Sequence, residues 1–344
     1  MALFGSKKNR SVKVSVFGKT DVGQARDHNE DCFIVADLTT KNSSLQPEVR
    51  EHELGSKGTL LVVADGMGGA AAGEVASELA ANTIYDHMST EWVNDKDQTS
   101  ERFAYRLREA VEKANTAIYQ YARERPEVRG MGTTTTAMGL LGENIYLSQV
   151  GDSRAYLVRN GMGIQLTKDQ SLMQRLVDAG ELTEEEAEQS ERRNIILQAL
   201  GPEATVKVDL THQTARRRDT VVLCSDGLSG LVNKDEIAEA VTKHEDLPDA
   251  CSHLIDLANE RGGPDNITVI VARLSGDGLD EATGGDSVGH SVYPLLDTES
   301  TTEPVPVYDG SDPPEPKGQT EVLITGVIAA AIITGAILAA VIGM

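Results

Sequence analysis

Five acidic stretches at the ends of apolar runs are where this chain can do chemistry. In "LLVVADGMGG" the apolar residues 60–64 lead into Asp65, then Gly66, Met67, Gly68 and Gly69. A strand closing on Asp-Gly is ordinary turn chemistry, because glycine takes positive φ freely and Asp bonds its own backbone. The pattern recurs, however. "TVVLCSDGLSG" ends a run at Asp226, and "IYLSQVGDSRAY" ends another at Gly151-Asp152. "RGGPDNITVIVARL" sets Asp265 and Asn266 just before a run. "DVGQARDHNEDCFIV" sets Glu30 and Asp31 at the mouth of one more, with Arg26 five residues before Asp31. Strand ends in a layered fold can converge on one rim. Carboxylates gathered there repel one another and are costly to bury unless a cation is bound. Every candidate ligand is an oxygen, which suits Mg²⁺ or Mn²⁺ rather than zinc. Gly66 can offer its carbonyl to such an ion because no side chain blocks the approach.

The elements that must hold these residues can be read from periodicity. Strand-like runs lie near 12–17, 31–36, 59–64, 133–141, 144–150, 154–159, 205–211, 220–224 and 267–274. Two helical patterns stand between them. One covers about 73–88, with Val75, Leu79, Ile84 and Met88. The other covers about 100–122, with Phe103, Leu107, Val111, Ala114, Ile118 and Tyr121 on one face. Strands and helices each come in groups, which predicts α+β layers rather than a parallel βαβ sheet. Residues 39–58 read as a polar insertion between the first two motif strands, with no function assigned to it.

Composition bounds the rest. The 344 residues are 40% hydrophobic but only 4% aromatic, so the core must be aliphatic. A net charge of −22 argues against nucleic-acid binding, which requires basic surface. The three cysteines, Cys32, Cys224 and Cys251, form no paired framework and read as small core residues in a reducing compartment. Residues 276–321 are acidic and rich in Gly, Ser, Thr and Pro, and predict a disordered linker. Residues 322–344 hold no charged residue and reach the ~20 residues needed to cross a bilayer. They predict a transmembrane tail anchor with the catalytic part, residues 1–275, on the cytoplasmic side. Gly335, Ala339 and Gly343 share one face of that segment, a spacing that can support a weak homodimer.

Seven stretches together resemble the metal-dependent Ser/Thr protein phosphatases of type 2C, in their bacterial form. They are "TDVGQARDHNED" (20–31), "VVADGMGG" (62–69), "GMGTT" (130–134), "VGDSRAY" (150–156), "LTKDQSLMQRLVDAGELTEEEA" (166–187), "LCSDGL" (223–228) and "GGPDNIT" (262–268). Each is weak alone; in this order, over about residues 12–274, they are specific. The resemblance implies an αββα sandwich, two central antiparallel sheets flanked by helices, with a two-metal site at one end. It implies that Asp65 bridges two Mn²⁺ or Mg²⁺ ions, that Gly66 gives a carbonyl, and that Asp226 and Asp265 complete one ion's shell. It places Asp31 and Glu30 near the ions, acting largely through water, and Arg26 on the substrate phosphate. Asp152 and Asp226 would hold a third, weaker ion. Two divalent ions lower the pKa of a shared water, and the resulting nucleophile would displace Ser or Thr oxygen from phosphorus in line. A guanidinium presents a planar fork to phosphate that Lys cannot. The implied partners are Ser/Thr-phosphorylated proteins and, by analogy, a cognate Ser/Thr kinase.

Three departures from the family pattern stand out. Gln170 replaces a usual His, Gln189-Ser190 replaces a usual His-Pro, and Met67 stands where some relatives carry His. The first two fall in or near the flap expected over the site. A catalytically dead scaffold would lack a metal carboxylate, whereas Asp31, Asp65, Asp226 and Asp265 are all present.

Overall fold

The computed structural model describes residues 10–44, 50–190 and 192–295. Among them the chain forms thirteen strands, all paired antiparallel, in two sheets. The first sheet runs β10 (Met162–Gln165), β9 (Arg154–Arg159), β12 (Thr220–Cys224), β13 (Ile267–Ser275), β1 (Lys13–Asp21), β4 (Arg50–Glu53). The second runs β11 (Asp209–Thr214), β8 (Asn144–Val150), β7 (Thr135–Leu141), β5 (Thr59–Met67), β2 (Asp31–Asp37), β3 (Asn42–Ser44), with β6 (Gly132–Thr133) added beside β5.

Three separate cores define four layers. Alternate residues of the second sheet, such as Leu60, Val62 and Ala64, pack on α1 (Ala70–His87) and α2 (Ser100–Glu124). Their neighbours Leu61 and Val63 face Ile270, Ala272 and Leu274 of the first sheet. The other face of that sheet, including Ile267, Val269 and Val271, packs on α6 (Lys234–Lys243) and α7 (Leu247–Glu260). Both sheets are thus covered on both sides, which makes the αββα sandwich. It also explains why the central strands read as continuous apolar runs: no face is left for polar alternation. The second predicted helix has the apolar face expected of it. The first starts three residues earlier than predicted and continues into a π-helical turn at Met88–Trp92, where Trp92 is fully buried. All three cysteines are free, with Cys224 and Cys251 buried.

Four features depart from the sequence reading. The segment 39–58 is no mere insertion: it supplies an edge strand to each sheet, β3 pairing with β2 and β4 with β1. The strand expected at 205–211 lies at 209–214 as β11. Helices α6 and α7 were implied by the family resemblance but missing from the periodicity reading. Residues 276–295, assigned by composition to the disordered linker, pack on the domain. Leu279 is fully buried in the core between the sheets, and Gly278 N–H donates to Ser11 O (2.9 Å). The acids of this strap meet a basic loop: Arg216 pairs with Asp286 (2.8 Å), and Arg217 and Arg218 with Glu281. The strap then climbs beside β11, with His212 N–H donating to Ser291 O and Tyr293 N–H to Leu210 O (2.9 Å each). The globular unit extends to Leu295. The rest of the predicted linker and the apolar run 322–344 lie outside the described residues. Among the described residues no helix is long and apolar enough to cross a membrane.

A chain ending at Leu295 should therefore unfold at higher temperature than one ending at Ser275. Unseating a buried leucine costs about 2–5 kcal/mol, or at least about 4 °C for a domain this size. Equal melting temperatures for the two would show that the strap adds nothing to the fold.

Candidate functional site

The acids converge because of strand register. In the antiparallel pair β2–β5, Asp31 lies directly opposite Asp65. Strand β5 does not stop at Asp65, as the turn reading required, but runs on through Gly66 and Met67 against β6. The Asp65 carbonyl accepts from Thr134 N–H (2.9 Å) and Thr133 Oγ1 (2.8 Å), so the residue is fixed from its backbone. Asp226 opens the short helix α5 (Asp226–Ser229) directly after β12. A side chain at Gly227 would collide with the Asn266 carbonyl, so that glycine lets Asp226 sit beside the entry to β13. Gly66 has a similar reason: a Cβ there would collide with the Gly73 and Glu30 carbonyls. Close packing on α1 explains that glycine without appeal to a ligand.

The electrostatics show an excess of negative charge. Burial pushes the Asp31 carboxyl up to about 7, with Asp226 and Asp265 adding to the rise against hydrogen bonds from Thr268 and Ser225. Asp65 is held well above the usual range by burial and then by Asp31, Asp226, Asp152 and Asp265. Asp152 is pushed up to about 8, by burial first and then by Asp226 and Asp169. Asp226 is also raised, by burial and then by Asp265. Arg26 Nη2 sits 2.8 Å from Asp265 Oδ2 and relieves part of the charge. Asp31 Oδ2 accepts from Ser225 Oγ (2.8 Å), but its Oδ1 is buried without a partner.

A divalent cation answers these observations. The donors are all oxygens, one is orphaned, and the mutual repulsion is what a bound ion removes. Among the described residues no three His, Cys, Asp or Glu side chains form a ready-made metal cage. An ion that keeps most of its waters needs only one or two carboxylates, so this does not exclude Mg²⁺-like binding. Glu30 stands apart from the facing pair. Its side chain lies against Gly73 of α1, burial raises its carboxyl against the pull of Arg26, and its backbone does the local work: its carbonyl accepts from Gly66 N–H (3.1 Å).

The roles of several supporting residues escaped the sequence reading. Buried Asn266 ties down the loop bearing Arg26: its Nδ2 donates to Val22 O and His28 O (2.9 Å each), and its Oδ1 accepts from Glu30 N–H (2.8 Å). Ser225 links Asp31 to the backbone N–H of Thr268 (3.0 Å). Asn115 of α2 accepts from Gly201 N–H (2.8 Å) and donates to Glu203 O and Ala204 O, bracing the loop whose Leu200 pairs with Thr133. Each is a polar residue beside a motif or inside an apolar helix face. That was the available signal, but its partners are distant in sequence.

The segment expected to form the flap comprises α3 (Leu172–Asp178) and α4 (Glu184–Glu188), whose roots meet in an antiparallel bridge between Ser171 and Ile196. Gln189 caps the C-terminus of α4, and Ser190 Oγ accepts from Arg192 N–H. Gln170 reaches Gly151, with Gly151 N–H donating to its Oε1 (3.0 Å).

Comparison with known proteins agrees with this architecture. The profile of the protein phosphatase 2C family matches residues 41–261. The serine/threonine phosphatase stp of Listeria monocytogenes is 37% identical over 253 residues, covering 74% of this chain and 93% of that protein. The serine/threonine protein phosphatase PstP of Mycobacterium tuberculosis is 44% identical over 214 residues, 62% of this chain and 40% of that longer protein. The crystal structure of M. tuberculosis PstP/Ppp superposes with a TM-score of 0.64 at 37% identity, over 76% of this chain and 99% of that one. A structure of the PstP catalytic domain in complex with two manganese ions gives a TM-score of 0.62 at 36% identity, over 77% and 99%. The two covered sheets, the converging acids and the ordered motifs have one common explanation: the chain belongs to the protein phosphatase 2C family of serine/threonine phosphatases.

Proposed function

We propose that this chain hydrolyses phosphoserine and phosphothreonine in proteins, using Mn²⁺ or Mg²⁺ held by Asp31, Asp65, Gly66, Asp226 and Asp265. The observation supporting this most directly is the register that sets Asp31 opposite Asp65, with Asp226 and Asp265 within electrostatic reach. Bound cations would supply a water nucleophilic at neutral pH and screen the phosphate's charge. The protein's own residues do the rest. Asp65, fixed by Thr133 and Thr134, sets the distance between the two halves of the site. Arg26 exchanges Asp265 for the phosphate oxygens once the acids are neutralised, and its fork orients the ester. Asp152, at the edge, would help Asp226 hold a third and weaker cation. Glu30 and Asn266 keep the Arg26 loop in place.

The same proposal extends to location. Residues 322–344, free of charge, hold the enzyme at the cytoplasmic face of a membrane and raise its effective concentration toward phosphoproteins there. A cognate Ser/Thr kinase acting on those proteins is the partner this implies. The small-residue face of the segment gives at most a weak homodimer.

Chelation should abolish hydrolysis of a phosphothreonine peptide and lower the melting temperature, since the acids then repel at close range. Full activity in excess chelator would refute the metal-dependent mechanism.

Asp65→Asn should nearly abolish turnover while raising the melting temperature of the metal-free protein, because it removes one of two facing like charges. Asp152→Asn should mainly slow turnover, with binding of the first Mn²⁺ ions, measured by calorimetry, near wild type. Wild-type rates for Asp65→Asn at saturating Mn²⁺ would overturn the assignment.

Arg26→Ala should lower kcat/KM by about 10²-fold through lost orientation, with Mn²⁺ affinity unchanged or tighter because Asp265 loses its cationic partner. Weakened Mn²⁺ binding with intact kcat/KM would contradict the role given to Arg26.

A further inference from the structure

Gln170 occupies a junction that the reading of the site leaves unexplained. Its backbone belongs to the flap root: Leu197 N–H donates to Gln170 O (2.7 Å), and Leu172 N–H donates to Ile195 O (2.8 Å) across the same ladder. Its side chain leaves the flap. Gly151 N–H donates to Gln170 Oε1 (3.0 Å), while Gln170 N–H donates back to Gly151 O (2.9 Å). Gln170 Nε2 also reaches Lys207 O on the returning chain (3.4 Å). From the sheet side, Gln149 Nε2 donates to Gly151 O (3.1 Å) and Gln149 Oε1 accepts from Lys168 N–H (3.2 Å).

Gly151 is therefore gripped from two directions. Its φ of +100° is open to few other residues, and a Cβ would lie 2.6 Å from Thr134 Cβ. The next residue is Asp152, whose enclosed carboxyl interacts with Asp226 and Asp65. A shift of the flap root must pull Gly151 and reorient Asp152, because the connection is a closed ring of hydrogen bonds rather than a flexible tether.

We propose that Gln170 is a positioning residue that ties the root of the α3–α4 segment to Gly151 and so fixes the backbone that carries Asp152 at the site rim. This rests on the phosphatase reading above. The amide does not titrate, so the link holds equally across the physiological pH range.

The test uses the full chain. Q170M preserves side-chain bulk and removes the acceptor, while the backbone bond to Gly151 O survives. In the metal-free protein, amide exchange at 150–153 should accelerate by about 5-fold or more over wild type. With Mn²⁺ and a phosphothreonine peptide, kcat should fall about 10-fold, the scale of a modest loss of alignment, with KM much less changed. Q170H adds a second readout. A neutral imidazole can accept from Gly151 N–H and an imidazolium cannot, so the Q170H-to-wild-type rate ratio should fall as pH drops from about 8 to about 6. Unchanged exchange at 150–153 in Q170M overturns the proposal. So does faster exchange with unchanged kcat, which would leave Gln170 holding a loop that the site does not use. A wild-type chain inert toward the peptide at saturating Mn²⁺ refutes the phosphatase reading instead, and the exchange comparison still decides whether Gln170 ties the flap to Gly151.

Discussion

Asp31 and Asp65 face each other across neighbouring strands, the arrangement that sheets ordinarily avoid. Everything around them either enforces that meeting or relieves it. The backbone of Asp65 is held by Thr133 and Thr134, and one oxygen of Asp31 by Ser225. The covered sheets leave these strands no freedom to slip, since a one-residue shift would turn Leu61 and Val63 out of the inter-sheet core. The apolar layers thus hold the repulsion in place.

Part of the repulsion is relieved by the chain itself. Arg26 rests on Asp265 and brings positive charge beside the acids. A guanidinium presents a planar fork that matches the paired oxygens of a carboxylate. The loop bearing it is fixed at its base by Asn266, so any movement of the guanidinium is confined to the side chain.

The legible parts of this fold were those whose signal is local. Helix α2 shows a continuous apolar stripe, and the central strands are long runs between turn residues. The shorter helices α6 and α7 also had local signals. Asn233 and Glu236 form a capping box, and Pro248 sits in the first turn of α7. Their stripes are brief, and the strands around them dominated the pattern. Strands β3, β4 and β10 span three or four residues and exist only through their partners, which no periodicity reports. The strap was misjudged because composition counts apolar residues without weighing where one of them lands: Leu279 and the Arg216–Asp286 pair suffice to seat it. At the site, the acids were found through their repeated placement at strand ends. Ser225, Asn115 and the reach of Gln170 depend on neighbours brought together by folding.

The strap has a bearing on how copies of the domain behave toward one another. An unpaired strand edge is a template for intermolecular pairing, and two sheets present four such edges. Three are made short: β3 and β4 are also polar or charged, and β10 spans four residues. The fourth, β11, has six residues including buried Leu210, and it is here that Ser291 and Tyr293 occupy the outward backbone groups. The strap thereby shields the edge with the greatest capacity for aggregation, so that solubility at high concentration rests on a segment remote in sequence from every catalytic motif.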